Sequence, residues 1–226
     1  MTIMRKITGR APAALLLGLT LSLGACGPDR SELPGLALGA ARSLIAPANE
    51  TVPDVRASLT PEVLAAESGP VLIVEVPAAP SAAGMTVAGT NRDVVTFSDA
   101  GSTFVIVRGG VIVGTRGFGF DLMNAEVSGT LNALASGGGR AERLHTYLDG
   151  LGKTLVRRFG CTLSPAAGES VRLLSGTVEA QVVAERCEGA LGGVFENRYW
   201  IAGGIVVKSQ QWVSPELGYI LTERAK

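Results

Sequence analysis

The chain has 226 residues, with 20 basic and 20 acidic side chains and a mean hydropathy of +0.32. Its N-terminal leader carries three basic residues (Arg5, Lys6 and Arg10) and no acid, so the remainder has 17 basic against 20 acidic residues, a net charge near −3. That balance, without a basic patch, argues against a nucleic-acid partner. About 200 residues beyond the leader are enough for one domain with a sizeable core.

The first 25 residues have the three-part organisation of a secretory signal peptide. Residues 1–10 are basic, residues 11–23 are mostly apolar, and the small pair Gly24-Ala25 follows. The apolar stretch is shorter than the roughly 20 residues that a membrane-spanning helix needs. Leu23-Gly-Ala-Cys26 also fits the lipobox of bacterial lipoproteins. We therefore predict cleavage before Cys26 and acylation of its thiol, which would anchor the mature chain in a membrane. The alternative is an ordinary signal peptide followed by a chance cysteine.

Residues 26–50 are predicted to form a lipidated tether. In enteric bacteria an aspartate after the acylated cysteine retains lipoproteins in the inner membrane. Gly27 therefore favours the outer membrane, on its periplasmic side. Residues 27–35 are polar and rich in turn formers, as expected of a spacer. Residues 36–46 carry small apolar side chains at helical spacing, and Pro47 ends the predicted helix.

Residues 51–226 are predicted to form one β-rich domain. A short helix over 59–66 is indicated by Thr60 as N-cap and Pro61 in the first turn. The β-branched run 71–76 between prolines predicts a strand, and 77–91 a loop. The further predicted strands are 93–97, 102–107, 111–115, 143–148, 153–163, 171–186, 194–201, 205–213 and 219–222.

The turns between these strands are rich in glycine. Gly109-Gly110 and Asp149-Gly150 are typical of tight hairpins, and residues 136–139 predict a surface loop. About ten short strands and two short helices favour a mainly β fold. We predict a single antiparallel β-sandwich or a strongly curved, half-barrel-like sheet, with one or two short N-terminal helices.

The two cysteines of the domain, Cys161 and Cys187, are predicted to form a disulfide because an exported chain meets an oxidising compartment. Two separate thiols or a metal pair are the alternatives. The chain has no CxxC spacing and only one histidine, so no metal site is predicted.

A catalytic site is not predicted, and neither is a cofactor. A Ser–His–Asp hydrolase would have to use His145, but no Gly-x-Ser-x-Gly elbow accompanies it. A lone histidine on a strand is more often a surface residue or one with satisfied hydrogen bonds. Asp121, Asp149 and Glu185 would be candidates for a glycosidase pair. Nothing in the sequence brings two of them together.

Aromatic and amide side chains concentrate near the C-terminus. Tyr199, Trp200 and Trp212 could stack on sugar rings, and Gln210 and Gln211 could bind hydroxyls. The alternative is core or cross-strand packing. Packing is favoured because only 5% of residues are aromatic and a core needs them.

Four segments resemble the YjbF-type, group 4 capsule polysaccharide lipoprotein family. They are Thr115–Leu122, Asn197–Trp200, Lys208–Pro215 and Leu217–Tyr219. The resemblance extends over residues 55–224, and it departs at Phe97, where a tryptophan is expected, and in the C-terminal tail, which lacks the usual closing proline.

The resemblance implies a non-enzymatic accessory factor in exopolysaccharide or capsule assembly or export, with outer-membrane or periplasmic export proteins as partners. A glycan- or lipid-binding module is the alternative, and a polysaccharide-modifying hydrolase is less favoured. The family has no established catalytic residues, so its motif positions are carried over only as candidate ligand or partner contacts. These positions are Thr115, Gly117, Asp121, Tyr199, Trp200, Ser209, Gln211, Trp212 and Pro215.

Overall fold

The computed structural model describes residues 55–79, 81–190 and 192–226. The predicted leader, the lipidation site Cys26 and the tether with its helix lie outside these residues. The helices of the described part are α1 (Val55–Ser58), α2 (Pro61–Ala66) and α3 (Ser128–Ala135). Its strands are β1 (Leu72–Val76), β2 (Ser81–Asn91), β3 (Val94–Ser98), β4 (Phe104–Arg108), β5 (Val111–Arg116), β6 (Asn124–Glu126), β7 (Gly139–Leu148), β8 (Thr154–Leu173), β9 (Gly176–Gly189), β10 (Val194–Ala202), β11 (Ile205–Ser214) and β12 (Gly218–Arg224).

All twelve strands belong to one antiparallel sheet in the order β5-β4-β3-β2-β1-β12-β11-β10-β9-β8-β7-β6. Contacts between β5 and β6 bring the two edges side by side, so the sheet nearly closes into a barrel. Where the edges meet, the Thr115 amide donates to the Leu122 carbonyl at 2.9 Å. The predicted mainly β, strongly curved sheet is confirmed, whereas the sandwich alternative is wrong because one sheet curls on itself.

Register shifts give the sheet its curvature. They occur in five strand pairs: β2–β3, β4–β5, β8–β9, β10–β11 and β11–β12. An extra residue on one strand of a pair bends that strand and increases its twist, which allows a sheet to close. The turn at Gly109-Gly110 has φ values of +55° and +82°, as its sequence predicts.

Alternating residues fill the barrel interior. On β8, Phe159, Cys161 and Leu163 are buried while their neighbours are exposed. Cys161 lies directly opposite Cys187 of β9, and a disulfide joins the two. The main interior core also includes apolar side chains from strands on the other side of the barrel, such as Val105.

The long β8–β9 hairpin continues past the barrel wall as an arm, residues 169–182. The register shift between Ala166 and Glu169 changes which side of β8 is buried. Val171 and Leu173 therefore pack outside the barrel, around Trp200. At the tip, the Leu174 amide donates to Glu223 of β12 at 2.7 Å.

Helices α1 and α2 also lie on the outside. The Thr60 side chain accepts a hydrogen bond from the Val63 amide at 3.4 Å, which supports the predicted N-cap. Leu59 packs against Gly84 of β2, where an added Cβ would lie 3.1 Å from the leucine. No helix of the described residues is long and apolar enough to cross a membrane.

Two local predictions are wrong, and two elements were missed. The predicted loop 77–91 contains β2, because the apolar strand β1 takes a pairing partner on each side. The predicted strand 171–186 is split by a turn at residues 174–175, so that its start belongs to β8. Helix α3 and the short strand β6 were not expected from the sequence.

Candidate functional site

A group of polar side chains fills part of the barrel interior, where apolar residues would be the default. We call it the interior polar cluster. Its members come from α3, β7, β9, β10 and β11, and each is at most 1% exposed. They are Thr130, Arg143, Glu185, Asn197, Tyr199 and Gln211.

Glu185 lies at the centre of this cluster. Its Oε1 accepts from the Thr130 hydroxyl at 2.8 Å. Its Oε2 accepts from Arg143 at 2.7 Å, from the Asn197 amide at 2.7 Å and from the Tyr199 hydroxyl at 2.9 Å. A buried carboxylate is retained only when it is paired and hydrogen-bonded, and Glu185 meets both conditions. With four donors in place, it has little capacity left to take a proton from a substrate.

Tyr199 contributes a hydrogen-bond donor to the cluster. Burial raises the pKa of the Tyr199 hydroxyl, and the negative charge of Glu185 raises it further. The hydroxyl therefore stays protonated and donates to Glu185. Its oxygen accepts from Arg143 Nη1 at 3.2 Å.

Gln211 connects opposite walls of the barrel. Its Oε1 accepts from the Ile112 amide of β5 at 2.8 Å, and its Nε2 donates to the Gly110 carbonyl at 2.9 Å. The same Nε2 donates to Ser209, whose hydroxyl pairs with Thr222 at 2.6 Å. The amide thus ties β11 to the β4–β5 turn, about a hundred residues away.

His145 is buried next to the cluster, not on the surface. Tyr147 donates to the Val213 carbonyl at 2.6 Å, and a carbonyl can only accept. The His145 Nδ1, 3.0 Å from the Tyr147 oxygen, must therefore carry the proton and donate. Its Nε2 has no partner, so the expectation of a surface or satisfied histidine is wrong. Burial, and then the charge of Arg143, lower the pKa of His145 well below its ordinary value, and the ring stays neutral.

The Thr115–Leu122 segment forms a closed turn. Asp121 accepts from the Thr115 hydroxyl at 2.8 Å and from the Gly117 and Phe118 amides at 2.9 and 3.3 Å. Gly117 has φ +87°, and a Cβ there would lie 2.4 Å from the Ser102 carbonyl. The threonine, glycine and aspartate of this motif therefore build the loop between β5 and β6.

Trp200 points outward, under the arm. Its Nε1 donates to Glu169 at 2.7 Å, and Glu169 also pairs with Arg198. The Arg198 guanidinium carbon lies 5.1 Å and the Lys208 ammonium 5.3 Å from the ring centre. The side chain is only 8% exposed, which leaves little ring surface for a sugar.

Trp212 belongs to an aromatic group inside the barrel. Its ring stacks on Phe195 with centroids 4.5 Å apart and an interplanar angle of 10°, and it lies 5.8 Å from the ring of His145. Pro215 is exposed in the β11–β12 turn. The nine motif positions are thus divided among a loop, the interior, the outer wall and a turn, rather than gathered at one site.

The three carboxylates weighed as a catalytic pair occupy separate local structures. Asp121 closes its loop, Glu185 is saturated in the interior, and Asp149 accepts from the amides of its own hairpin turn. Within the described residues, the one group with metal-ligand spacing is Cys161, Glu185 and Cys187. Its two sulfurs are bonded to each other and its carboxylate is occupied, so the group does not suit a metal ion.

Sequence analysis missed Arg143, Asn197 and Thr130 as partners of Glu185. One signal was available: Glu185 stands two residues before Cys187 on a strand with period-two alternation. A residue two positions from a buried cysteine shares its face, so burial of a disulfide-bonded Cys187 would also place Glu185 inside. The identity of its partners depends on long-range strand pairing.

Comparisons with known proteins agree with this architecture. The family model described as group 4 capsule polysaccharide lipoprotein gfcB, YjbF matches residues 43–224. The crystal structure of the hypothetical lipoprotein YmcC from Escherichia coli superposes with a TM-score of 0.65 at 14% identity, covering 87% of this chain and 97% of that one.

A putative exported protein with a YmcC-like fold from Bacteroides fragilis gives a TM-score of 0.28 at 9% identity, covering 71% of this chain and 96% of that one. No curated protein sequence matches the chain.

Proposed function

Because the chain belongs to the group 4 capsule polysaccharide lipoprotein family, we propose that it is an outer-membrane lipoprotein that assists capsule or exopolysaccharide assembly or export without catalysing a reaction. In this proposal Cys26 carries the lipid anchor and the domain faces the periplasm. The domain contacts outer-membrane or periplasmic export proteins rather than transforming the polysaccharide.

The observation that carries the non-enzymatic role is the complete hydrogen bonding of the carboxylate and the amide in the interior polar cluster, where the one unpartnered side-chain atom is Arg143 Nε, a donor that cannot accept a proton. Glu185 has four donors, and both ends of the Gln211 amide are occupied. A general acid or base needs a free position within reach of its substrate. Here the charged and amide groups connect strands to one another, which is the arrangement expected of a rigid scaffold.

Glycan binding by the aromatic and amide residues is less well supported. Stacking on Trp200 would require the arm to leave the ring, and hydrogen bonding through Gln211 would require breaking its contacts across the barrel. A binding role would therefore need a large rearrangement.

The proposal is tested by measuring secreted and surface-bound polysaccharide in a deletion strain. The strain is complemented with the wild type, with Cys26→Ala, and with His145→Phe, which keeps the interior filled. We expect the wild type and His145→Phe to restore polysaccharide and Cys26→Ala to fail. A further control carries a leader for non-lipidated export, so that it reaches the periplasm without an anchor.

Three outcomes would count against the proposal. Unchanged polysaccharide in the deletion strain would remove the role in export. Full complementation by the unanchored control would remove the need for the lipid. Loss of function in His145→Phe, with normal protein levels, would indicate chemistry at the only histidine. Incorporation of labelled palmitate into the wild type but not into Cys26→Ala checks acylation directly.

A further inference from the structure

The exposed apolar side chains of the described residues are unevenly distributed. Seven large ones are exposed. Six lie at the end of the barrel that carries the β5–β6, β7–β8 and β9–β10 turns, and one, Ile205, lies at the opposite end. The six are Phe120, Leu148, Leu151, Leu155, Val156 and Val194.

Four of these six belong to one hairpin that extends beyond the barrel wall. Strand β8 pairs with β9 only from Phe159 onward, and β6 pairs with β7 only over Leu144–Thr146. Residues 148–157, which we call the projecting hairpin, are therefore flanked by no further strand among the described residues. Leu151 at its tip is 83% exposed. Exposed apolar groups concentrated in this way mark contact surfaces rather than chance exposure.

Basic groups accompany the apolar ones. Lys153 and Arg157 are exposed, and neither makes an ion pair within the described part of the chain. The one acid of the hairpin, Asp149, accepts from the Leu151 and Lys153 amides at 2.9 and 2.8 Å. Apolar side chains beside unpaired cations are the combination that binds the surface of an anionic bilayer, where hydrocarbon lies next to phosphate.

We propose that the projecting hairpin inserts into a bilayer surface that contains anionic lipids. Leu151 and its apolar neighbours enter the acyl boundary, and Lys153 and Arg157 contact lipid phosphates. This inference rests on the proposed function, because a lipid on Cys26 keeps the domain near a membrane.

The tether is long enough for this arrangement. The 28 residues between Cys26 and Val55 could span roughly 75 Å with the predicted helix over 36–46 in place, whereas a ten-residue strand is about 33 Å long. A second copy of the chain is a poorer occupant, because a two-fold contact would place Lys153 and Arg157 near their own copies.

The test uses the mature chain from residue 26 with Cys26→Ser, so that no acyl chain contributes to binding. Co-sedimentation is measured with phosphatidylcholine vesicles, with and without phosphatidylglycerol. We expect binding to the anionic vesicles, and Leu151→Glu to weaken it by about tenfold or more. Lys153→Gln with Arg157→Gln should weaken it on the order of tenfold, and only on anionic vesicles.

Ile205→Glu is the matched control, since this side chain is 51% exposed at the opposite end. Its binding should equal that of the parent chain, and the tether is common to all variants. Absence of vesicle binding, or equal losses in Leu151→Glu and Ile205→Glu, would overturn the proposal. The proposal would also be overturned if the chain did not bind vesicles but formed a dimer in ultracentrifugation that Leu151→Glu dissociates. Because the chain tested lacks an acyl group, such a failure leaves the lipid anchor and the export role untouched.

Discussion

Two consecutive residues of β10, Tyr199 and Trp200, show how differently the two faces of the barrel wall are stabilised. Tyr199 points inward, where its hydroxyl joins Arg143 and Glu185 away from water. Trp200 points outward, where the arm and flanking cations cover it. Inside the barrel, a polar group that loses its partner cannot form a replacement hydrogen bond with water. Outside, lost contacts can be replaced by water, so equal chemical changes should have unequal effects.

The largest expected effect is at the centre of the interior polar cluster. Glu185→Ala leaves Arg143 buried without a counter-charge, and breaking a buried ion pair on one side costs roughly 3–5 kcal/mol of unfolding free energy. Urea unfolding measures the loss. The matched control is Glu142→Ala, whose ion pair with Arg158 is solvent-exposed, and which should change stability little. Equal losses in the two variants would contradict the distinction between the two faces.

The disulfide beside the cluster should have the next largest effect. It closes a loop between residues 26 apart, and the chain-entropy model gives a stabilisation of about 3.5 kcal/mol for a loop of that length. Cys161→Ala with Cys187→Ala should lower the urea midpoint by the corresponding amount. The wild type in reducing agent should behave like the double variant. Reducing agent should have no effect on the double variant itself.

Tyr199→Phe and Trp200→Phe test the inner and outer faces at adjacent positions. Tyr199→Phe removes one donor from the buried Glu185, and the expected loss of stability is about 1–3 kcal/mol. Trp200→Phe removes the indole donor to Glu169 and should loosen the arm, with a smaller change in global unfolding.

Trypsin cleavage after the exposed Arg172 of the arm reports the loosening. Cleavage should become faster in Trp200→Phe and stay at the wild-type rate in Tyr199→Phe. The reverse order would show that the arm does not depend on this contact.

The smallest expected effect is a pH dependence that comes from His145. Its pKa in the folded protein is well below the ordinary value of 6.5 because of burial and the charge of Arg143. The unfolded chain takes up a proton near pH 6.5 while the folded chain does not. Stability from this group is therefore present above that pH and is lost as the pH falls, by about 1.4 kcal/mol at pH 5.5.

His145→Phe removes this contribution. The loss of unfolding free energy between pH 8 and pH 5.5 should be smaller in the variant than in the wild type, by about that amount. Identical pH profiles would show that the ring is not held neutral in the folded protein.

Local patterns in the sequence were sufficient for part of the fold. The meander over β3, β4 and β5 follows from β-branched runs separated by turn residues, and the Gly109-Gly110 turn has the positive φ values that glycine permits. The β10–β11 pair follows for the same reason. These elements depend on neighbours in the chain.

Other features depend on distant partners. Strand β2 contains Ala82, Ala83 and Gly84, which show no apolar alternation, and it is a strand because β1 pairs with it and Leu59 packs over it. The buried side of β8 changes at the register shift that begins the arm, and the amino-acid composition there does not predict this shift. The interior polar cluster joins Arg143 to Glu185, 42 residues apart, and such a pairing follows from the strand order alone.

The first described strand also pairs with the last. Leu72 of β1 lies opposite Arg224 of β12, and the Ala225 amide donates to the Val71 carbonyl at 2.9 Å. The hairpins from β2 to β5 and from β7 to β11 can form from local sequence, whereas the pairing of β1 with β12 joins the two ends of the domain. Contacts at such sequence separation form slowly. Pairing of β1 therefore has to wait for residues 218–224, and deletion of this segment would leave both β1 and β11 with an unpaired edge.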